Sequence, residues 1–217
     1  MKFSIVMPSF NRPDMILRSV QSVLDQTYTN LELIIKESGE GKGYDSIKHV
    51  LSDKRIKYLY SRDRGISEAV NIALRSSTGD IFMWCNDDDL LLPSTLQTVV
   101  DNIKDYKWGY GKIYMFRDGR KCGEMGYPVE LHQLKKGNLI PQPAVFWTRE
   151  AFKKIGYMNE AMPYSQDFEY WVRLMKEYPK YCFIDSILAH YTIHDGQILN
   201  KAKNAQLAEA EKVYRMI

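Results

Sequence analysis

Three consecutive carboxylates, Asp87, Asp88 and Asp89, follow Asn86 at the end of the run Gly79-Asp80-Ile81-Phe82-Met83-Trp84-Cys85. Adjacent acids repel one another unless water or a cation screens them. Hard oxygen donors of this kind suit Mg²⁺ or Mn²⁺. The plainer alternative is a solvated acidic turn that caps the helix beyond Pro93. Position argues for chemistry. Residues 81–85 are short and apolar enough for one buried strand, and open α/β sheets bind ligands beyond the carboxyl ends of their strands.

Other reactive side chains lie at comparable places. The loop Glu37-Ser38-Gly39-Glu40-Gly41-Lys42-Gly43 can turn backbone N–H groups toward an anion. It lacks P-loop spacing, and a flexible surface turn explains its glycines equally well. Glu37, at a strand end, lies where a ligand's base would lie. Asp63, in Asp63-Arg64-Gly65-Ile66-Ser67-Glu68-Ala69-Val70-Asn71, stands between a strand and a helix N-terminus, a place that favours phosphate. The alternative there is a capped helix with a surface pair between Arg62 and Asp63. Asp167, in Gln166-Asp167-Phe168-Glu169-Tyr170-Trp171, falls in a first helical turn. The helix dipole favours a carboxylate there and lowers its pKa; the functional alternative is a general base. His194 stands alone: structural or exposed on the plain view, a metal or phosphate contact on the other.

A sheet has to position these groups. Residues 3–7 read as a buried strand stopped by Pro8, and Pro13 suits the first turn of a helix whose Ile16, Val20, Val23 and Leu24 recur at helical spacing. Residues 31–35 form a second strand, and a short helix through Ile47, Val50 and Leu51 follows. Residues 56–60 are a third strand. Ser67 can cap the next helix, which buries Val70, Ala73 and Leu74. Leu96, Val99, Val100 and Ile103 mark the helix after the acids. This alternation predicts a mostly parallel sheet covered on both faces. It gathers the loops after the first three strands on the edge that carries Asp87, Asp88 and Asp89.

The second half changes character. Residues 110–125 predict a hairpin, because Asp118-Gly119 supplies the positive φ angles of a tight turn. Pro128, Pro141 and Pro143 punctuate an irregular stretch. Residues 144–147 and 181–188 read as strands. Phe168, Trp171, Val172 and Met175 lie on one helix face, and residues 202–217 predict a last helix.

The 217 residues, 45% hydrophobic, suit one domain with a sizeable core. A net charge of +3 is too weak to argue for nucleic acid and is compatible with an anionic small molecule. Cys85, Cys122 and Cys182 are odd in number and share no metal-ligand spacing, which predicts a reduced, cytoplasmic chain. The N-terminus lacks a signal peptide's apolar region, and no run is long enough to span a bilayer. Membrane contact, if any, would be peripheral, at the inner face.

In order along the chain stand Pro8-Ser9-Phe10-Asn11, then Asp63-x-Gly65-Ile66-x-x-Ala69-x-Asn71, then Gly79-Asp80-Ile81 leading to Asn86-x-Asp88-Asp89, then Gln142-Pro143-Ala144, then Gln166-Asp167-Phe168-x-x-Trp171. This order resembles glycosyltransferase family 2, whose members have the GT-A fold. The resemblance runs from residue 3 to about residue 198. Each motif is weak alone; five in order are specific for fold and less so for substrate. It implies a single α/β GT-A (Rossmann-like) domain, with residues 1–107 binding a nucleotide-sugar, 108–200 the acceptor, and 201–217 a C-terminal helix. Pro8, Ser9 and Phe10 would line the nucleoside pocket, with Gly65 and Asn71 from the second motif. Asp63 would contact the base. Asp88 would be the metal ligand for Mn²⁺ or Mg²⁺, with Asn86 and Asp87 near the ribose. Asp89 is the second acid of the family's usual pair, and His194 sits where some relatives place a histidine near the metal. Asp167 would be the catalytic base of an inverting transfer from a nucleoside-diphosphate sugar, uridine being the commonest carrier, to a saccharide or lipid-linked acceptor. The oligomeric state stays open.

Two departures from the family pattern matter. Glu37 and Lys42 replace the acids after the second strand, and Asn86 replaces the usual first Asp of the metal motif. They keep a non-catalytic nucleotide- or glycan-binding relative in play. A nucleotidyltransferase is the other alternative, although Pro8-Ser9-Phe10-Asn11-Arg12-Pro13 is not the glycine-rich loop such enzymes carry.

Overall fold

The computed structural model describes residues 1–197 and 203–217. Its first half alternates strand and helix: β1 Phe3–Phe10, α1 Ile16–Leu24, β2 Leu31–Ser38, a single turn α2 Tyr44–Ile47, β3 Ile56–Tyr60, α3 Ile66–Arg75 and β4 Ile81–Trp84. β1 runs parallel to both β2 and β4, and β2 parallel to β3. Side chains alternate across a strand, so Ile5, Met7, Leu33 and Ile35 meet Val20 and Val23 of α1 on one face. Val6, Ile34 and Phe82 meet Val70, Ala73 and Leu74 of α3 on the other. At the start of β4, a Cβ on Gly79 would stand 2.7 Å from the Ser4 backbone nitrogen and the Lys2 carbonyl. Only glycine lets the chain enter the sheet that close to β1.

The remaining elements are β5 Leu90–Leu91, α4 Thr95–Ile103, β6 Trp108–Arg117, β7 Arg120–Met125, β8 Val145–Thr148, α5 Arg149–Ile155, α6 Gln166–Glu177, β9 Cys182–Ile193 and α7 Lys203–Tyr214. The sheet order is β3-β2-β1-β4-β8-β6-β9-β5, with β7 paired to β6. Parallel pairing covers β3-β2-β1-β4 and returns between β6 and β9; β8 lies antiparallel to both β4 and β6. The predicted hairpin is β6–β7, and Asp118 and Gly119 at its tip have φ of 51° and 73°. α6 packs Phe168, Trp171, Val172 and Met175 into the second core cluster, with Trp147. No helix among the described residues is long and apolar enough to cross a membrane.

Several sequence expectations need correction. Pro8 does not stop β1. The strand continues to Phe10, because β4 pairs only as far as Trp84 and leaves that side of Pro8 without a partner needing an N–H donor. Glu37 and Ser38 belong to β2, not to the glycine loop, and α2 ends at Ile47 short of Val50 and Leu51. Ser67 does not cap α3: Gly65, at φ 137°, holds the cap position, and Ser67 is buried inside the first turn. Ala202, the expected first residue of the last helix, lies outside the described residues.

Candidate active site

A cleft of about 1110 Å³ opens beyond the carboxyl ends of β1 and β4. Asn86, Asp87 and Asp88 reach it directly from β4. Burial pushes the Asp87 carboxyl up to about 7, and the neighbouring Asp88 adds to the rise. The Ser9 hydroxyl and Arg12 pull the other way, yet Ser9 is off hydrogen-bond geometry: its Oγ and Asp87 Oδ2 are both buried without a hydrogen-bond partner among the described residues. Asp88 is better paired. Arg12 donates to its Oδ2 at 2.8 Å, and His194 Nε2 lies 3.0 Å from the same oxygen. The Gly196 N–H donates to His194 Nδ1 at 3.1 Å, and Arg12 Nη1 lies 2.8 Å from His194 Nε2, so Arg12, Asp88 and His194 form one cluster. Arg12 also sits 3.6 Å from Asp87 Oδ1. Its guanidinium is therefore the resident counter-charge of the acid pair.

Asn86 is locked by both ends of its amide. Trp84 Nε1 donates to its Oδ1 at 2.7 Å, and its Nδ2 donates to Gln142 Oε1 at 2.8 Å. Gln142 in turn donates to the Trp84 carbonyl. An aspartate would offer no donor to Gln142, so the asparagine here fits its own surroundings.

Asp63 faces the cleft on a buried support. Lys36, fully buried in β2, donates to Asp63 Oδ2 at 2.7 Å and to the carbonyls of Ser61 and Glu37. Gly65 N–H donates to Asp63 Oδ1. The expected surface pair with Arg62 is thus replaced by a buried pair with Lys36.

Asp167 lies at the start of α6, half-buried and lining the same cleft. Phe168 N–H donates to its Oδ1 at 2.7 Å and Asn138 to its Oδ2 at 2.8 Å. Burial raises its pKa above the ordinary value and outweighs both hydrogen bonds, so the lowering expected from the helix end does not prevail.

Pro8, Ser9, Phe10, Asp63, Gly65, Asn86, Asp87, Asp88, Asp167 and His194 all line this one cleft. Glu37, Asn71 and Asp89 do not, which corrects their expected roles. Glu37 is fully buried; Gly43 N–H and the Tyr58 hydroxyl donate to its two oxygens, so it pins the glycine loop to β3. Asn71 is buried in a latch to the Met158 backbone and Glu160. Asp89, fully buried, accepts from Thr192 N–H and Asn86, and burial pushes its carboxyl well above the usual range. Lys42 is exposed beside Glu40, and its departure from the family pattern lies outside the cleft. Sequence reasoning missed Arg12, Lys36 and Asn138. Lys36 left a signal, one charge continuing an apolar strand; the other two left none.

A divalent cation fits these donors in a limited way. Among the described residues no three acidic, histidine or cysteine side chains surround one point. Mg²⁺ and Mn²⁺ commonly take one or two carboxylates and fill the rest of their shell with substrate phosphates and water. Asp88, with the unpartnered Asp87 oxygen beside it, provides that much.

An α/β sheet of this order, with acids beyond β4, has the arrangement of the GT-A fold. The family model for glycosyl transferase family 2 matches residues 4–153, and the chain belongs to that family. An uncharacterized glycosyltransferase of Rickettsia typhi is 28% identical over 229 residues, covering 97% of this chain and 70% of the relative. A UDP-Glc:alpha-D-GlcNAc-diphosphoundecaprenol beta-1,3-glucosyltransferase of Escherichia coli is 23% identical over 206 residues, covering 92% and 81%. The crystal structure of S. aureus TarS 1–349 in complex with UDP-GlcNAc superposes with a TM-score of 0.74 at 18% identity, over 93% of this chain and 61% of that one. The chain thus spans about three-fifths of that solved 1–349 chain.

Proposed function

We propose that this chain is an inverting glycosyltransferase that moves a hexosyl group from a UDP-sugar to a saccharide or lipid-linked acceptor. The observation that carries the proposal is that Asp88 and Asp167 line one cleft. The carrier and acceptor are supported by the E. coli relative's name, and the carrier also by the UDP-GlcNAc complex of TarS. Apolar side chains on the same cleft, among them Ile113, Met115, Met125 and Leu207, suit an acceptor with an apolar portion.

Ser9, Phe10 and Asp63 would hold the nucleoside, with Lys36 keeping Asp63 in place. Asp88, with His194 Nε2 beside it, would hold Mn²⁺ or Mg²⁺. When bound, that cation would supply positive charge to the leaving diphosphate. Arg12 already stands against Asp87 and Asp88, and its guanidinium would pair with the diphosphate. Asp167 would accept the proton of the acceptor hydroxyl. The acceptor oxygen forms its bond to the anomeric carbon as the bond from that carbon to the diphosphate oxygen breaks. One displacement inverts the configuration.

In the test, Asp167→Asn retains UDP binding while transfer falls roughly a hundred- to ten-thousand-fold. Asp88→Ala instead weakens UDP binding and removes its dependence on Mn²⁺. Wild-type transfer in Asp167→Asn, or unchanged calorimetry in Asp88→Ala, would overturn the corresponding role.

A further inference from the structure

The C-terminal helix α7 lies beyond the stretch matched by the family model. Nevertheless Gln206, Leu207, Ala210 and Tyr214 line the same cleft as Asp88 and Asp167. Their spacing of one, four and eight residues puts them along one side of a helix. The next stripe, Glu209 and Val213, turns into the molecule: Glu209 is 7% exposed and Val213 fully buried.

A buried carboxylate is costly unless hydrogen-bonded, and Glu209 has two donors. The backbone N–H groups of Tyr164 and Ser165 donate to its Oε2 at 2.9 and 2.8 Å. These residues lead directly into α6, where Ser165 holds the cap position but makes no side-chain cap. The positive end of α6 favours a carboxylate at this place. Further ties join the two segments: Ser165 Oγ donates to the Gln206 carbonyl, the rings of Phe168 and Tyr214 meet edge-on at 5.8 Å, and Lys176 donates to the carbonyl of Met216, just past the end of α7. Asp167 follows two residues after the amide that Glu209 holds.

We propose that α7 is a wall of the active site and that Glu209 is a positioning residue, fixing the α6 entry and through it the direction of the Asp167 carboxylate. The proposal rests on the reading of Asp167 as the base. It gives a residue outside the family match a part in the rate.

The test uses the full chain with UDP-glucose as donor and UDP with Mn²⁺ as the binding probe. Glu209→Ala should lower kcat about ten- to a hundredfold, the cost expected of an ångström-scale misplacement, with UDP affinity held within about twofold. Glu209→Gln keeps an acceptor oxygen and should recover most of the rate. In an Asp167→Asn background, Glu209→Ala should change the remaining rate by less than about twofold, because residues acting as one unit are non-additive. An equal loss in both backgrounds would overturn the proposal. So would wild-type kcat in Glu209→Ala, or UDP affinity falling with the rate in both Glu209 variants. Wild-type turnover in Asp167→Asn alone would instead remove the base reading on which it stands.

Discussion

Asp167 is held between opposing influences. Burial favours its neutral form, while Phe168 N–H and Asn138 favour the carboxylate. The net rise suits a base, whose efficiency improves as its pKa approaches the working pH. Removing Asn138 takes away a donor to the charged form, so the pKa climbs further. A base works only when deprotonated. Asn138→Ala should therefore move the acidic limb of the kcat profile to higher pH. Rate profiles of the two proteins across pH check this, and an unmoved limb would confine Asn138 to packing. The same scale explains Asn86: it spends both ends of its amide on Trp84 and Gln142, so its departure from an acid reflects local hydrogen bonding.

At the scale of elements, strand entry depends on polar ties beneath the cleft. Glu32, near the start of β2, accepts from Lys2 and Ser4 on the β1 side and from Thr78 ahead of β4. Burial alone would raise its pKa; Lys2, Ser4 and Thr78 outweigh that and hold it down at about 2, against an ordinary 4.5. A depressed carboxylate pKa contributes stability that is present above the unfolded value and is lost as pH falls through the folded one. The window here runs from about 4.5 down to about 2. Glu32 is partly solvated, so screening reduces the contribution to ~1 kcal/mol. Glu32→Gln should cost about that much in urea unfolding at pH 7, and the two proteins should converge as pH approaches the bottom of that window. A constant difference across pH would assign the loss to packing.

For the molecule as a whole, donor binding and folding are linked. A ligand that binds only the native chain at a hundredfold excess over Kd adds about 2.7 kcal/mol. In a chain of this size that is a Tm rise of roughly 5–10 °C. UDP with Mn²⁺ should approach that rise and UDP alone should fall short of it; equal shifts would remove the cation from the donor site. The sequence alone determined the alternation of strands and helices in the first half, the hairpin at Asp118-Gly119 and the place of Asp88 and Asp167. Those follow from periodicity, turn chemistry and motif order, all local in the chain. It could not distinguish Glu37, Asn71 and Asp89 from their cleft-facing neighbours, because a buried carboxylate or amide and an exposed one have the same letters. Only tertiary structure decides which oxygens are already bonded. Tertiary structure also put Lys36 under Asp63, Arg12 against Asp88 and Glu209 against Ser165, contacts spanning 27, 76 and 44 residues of chain. No local pattern carries pairings so distant, because they arise only when the packed sheet and its helices bring separate segments within hydrogen-bond reach.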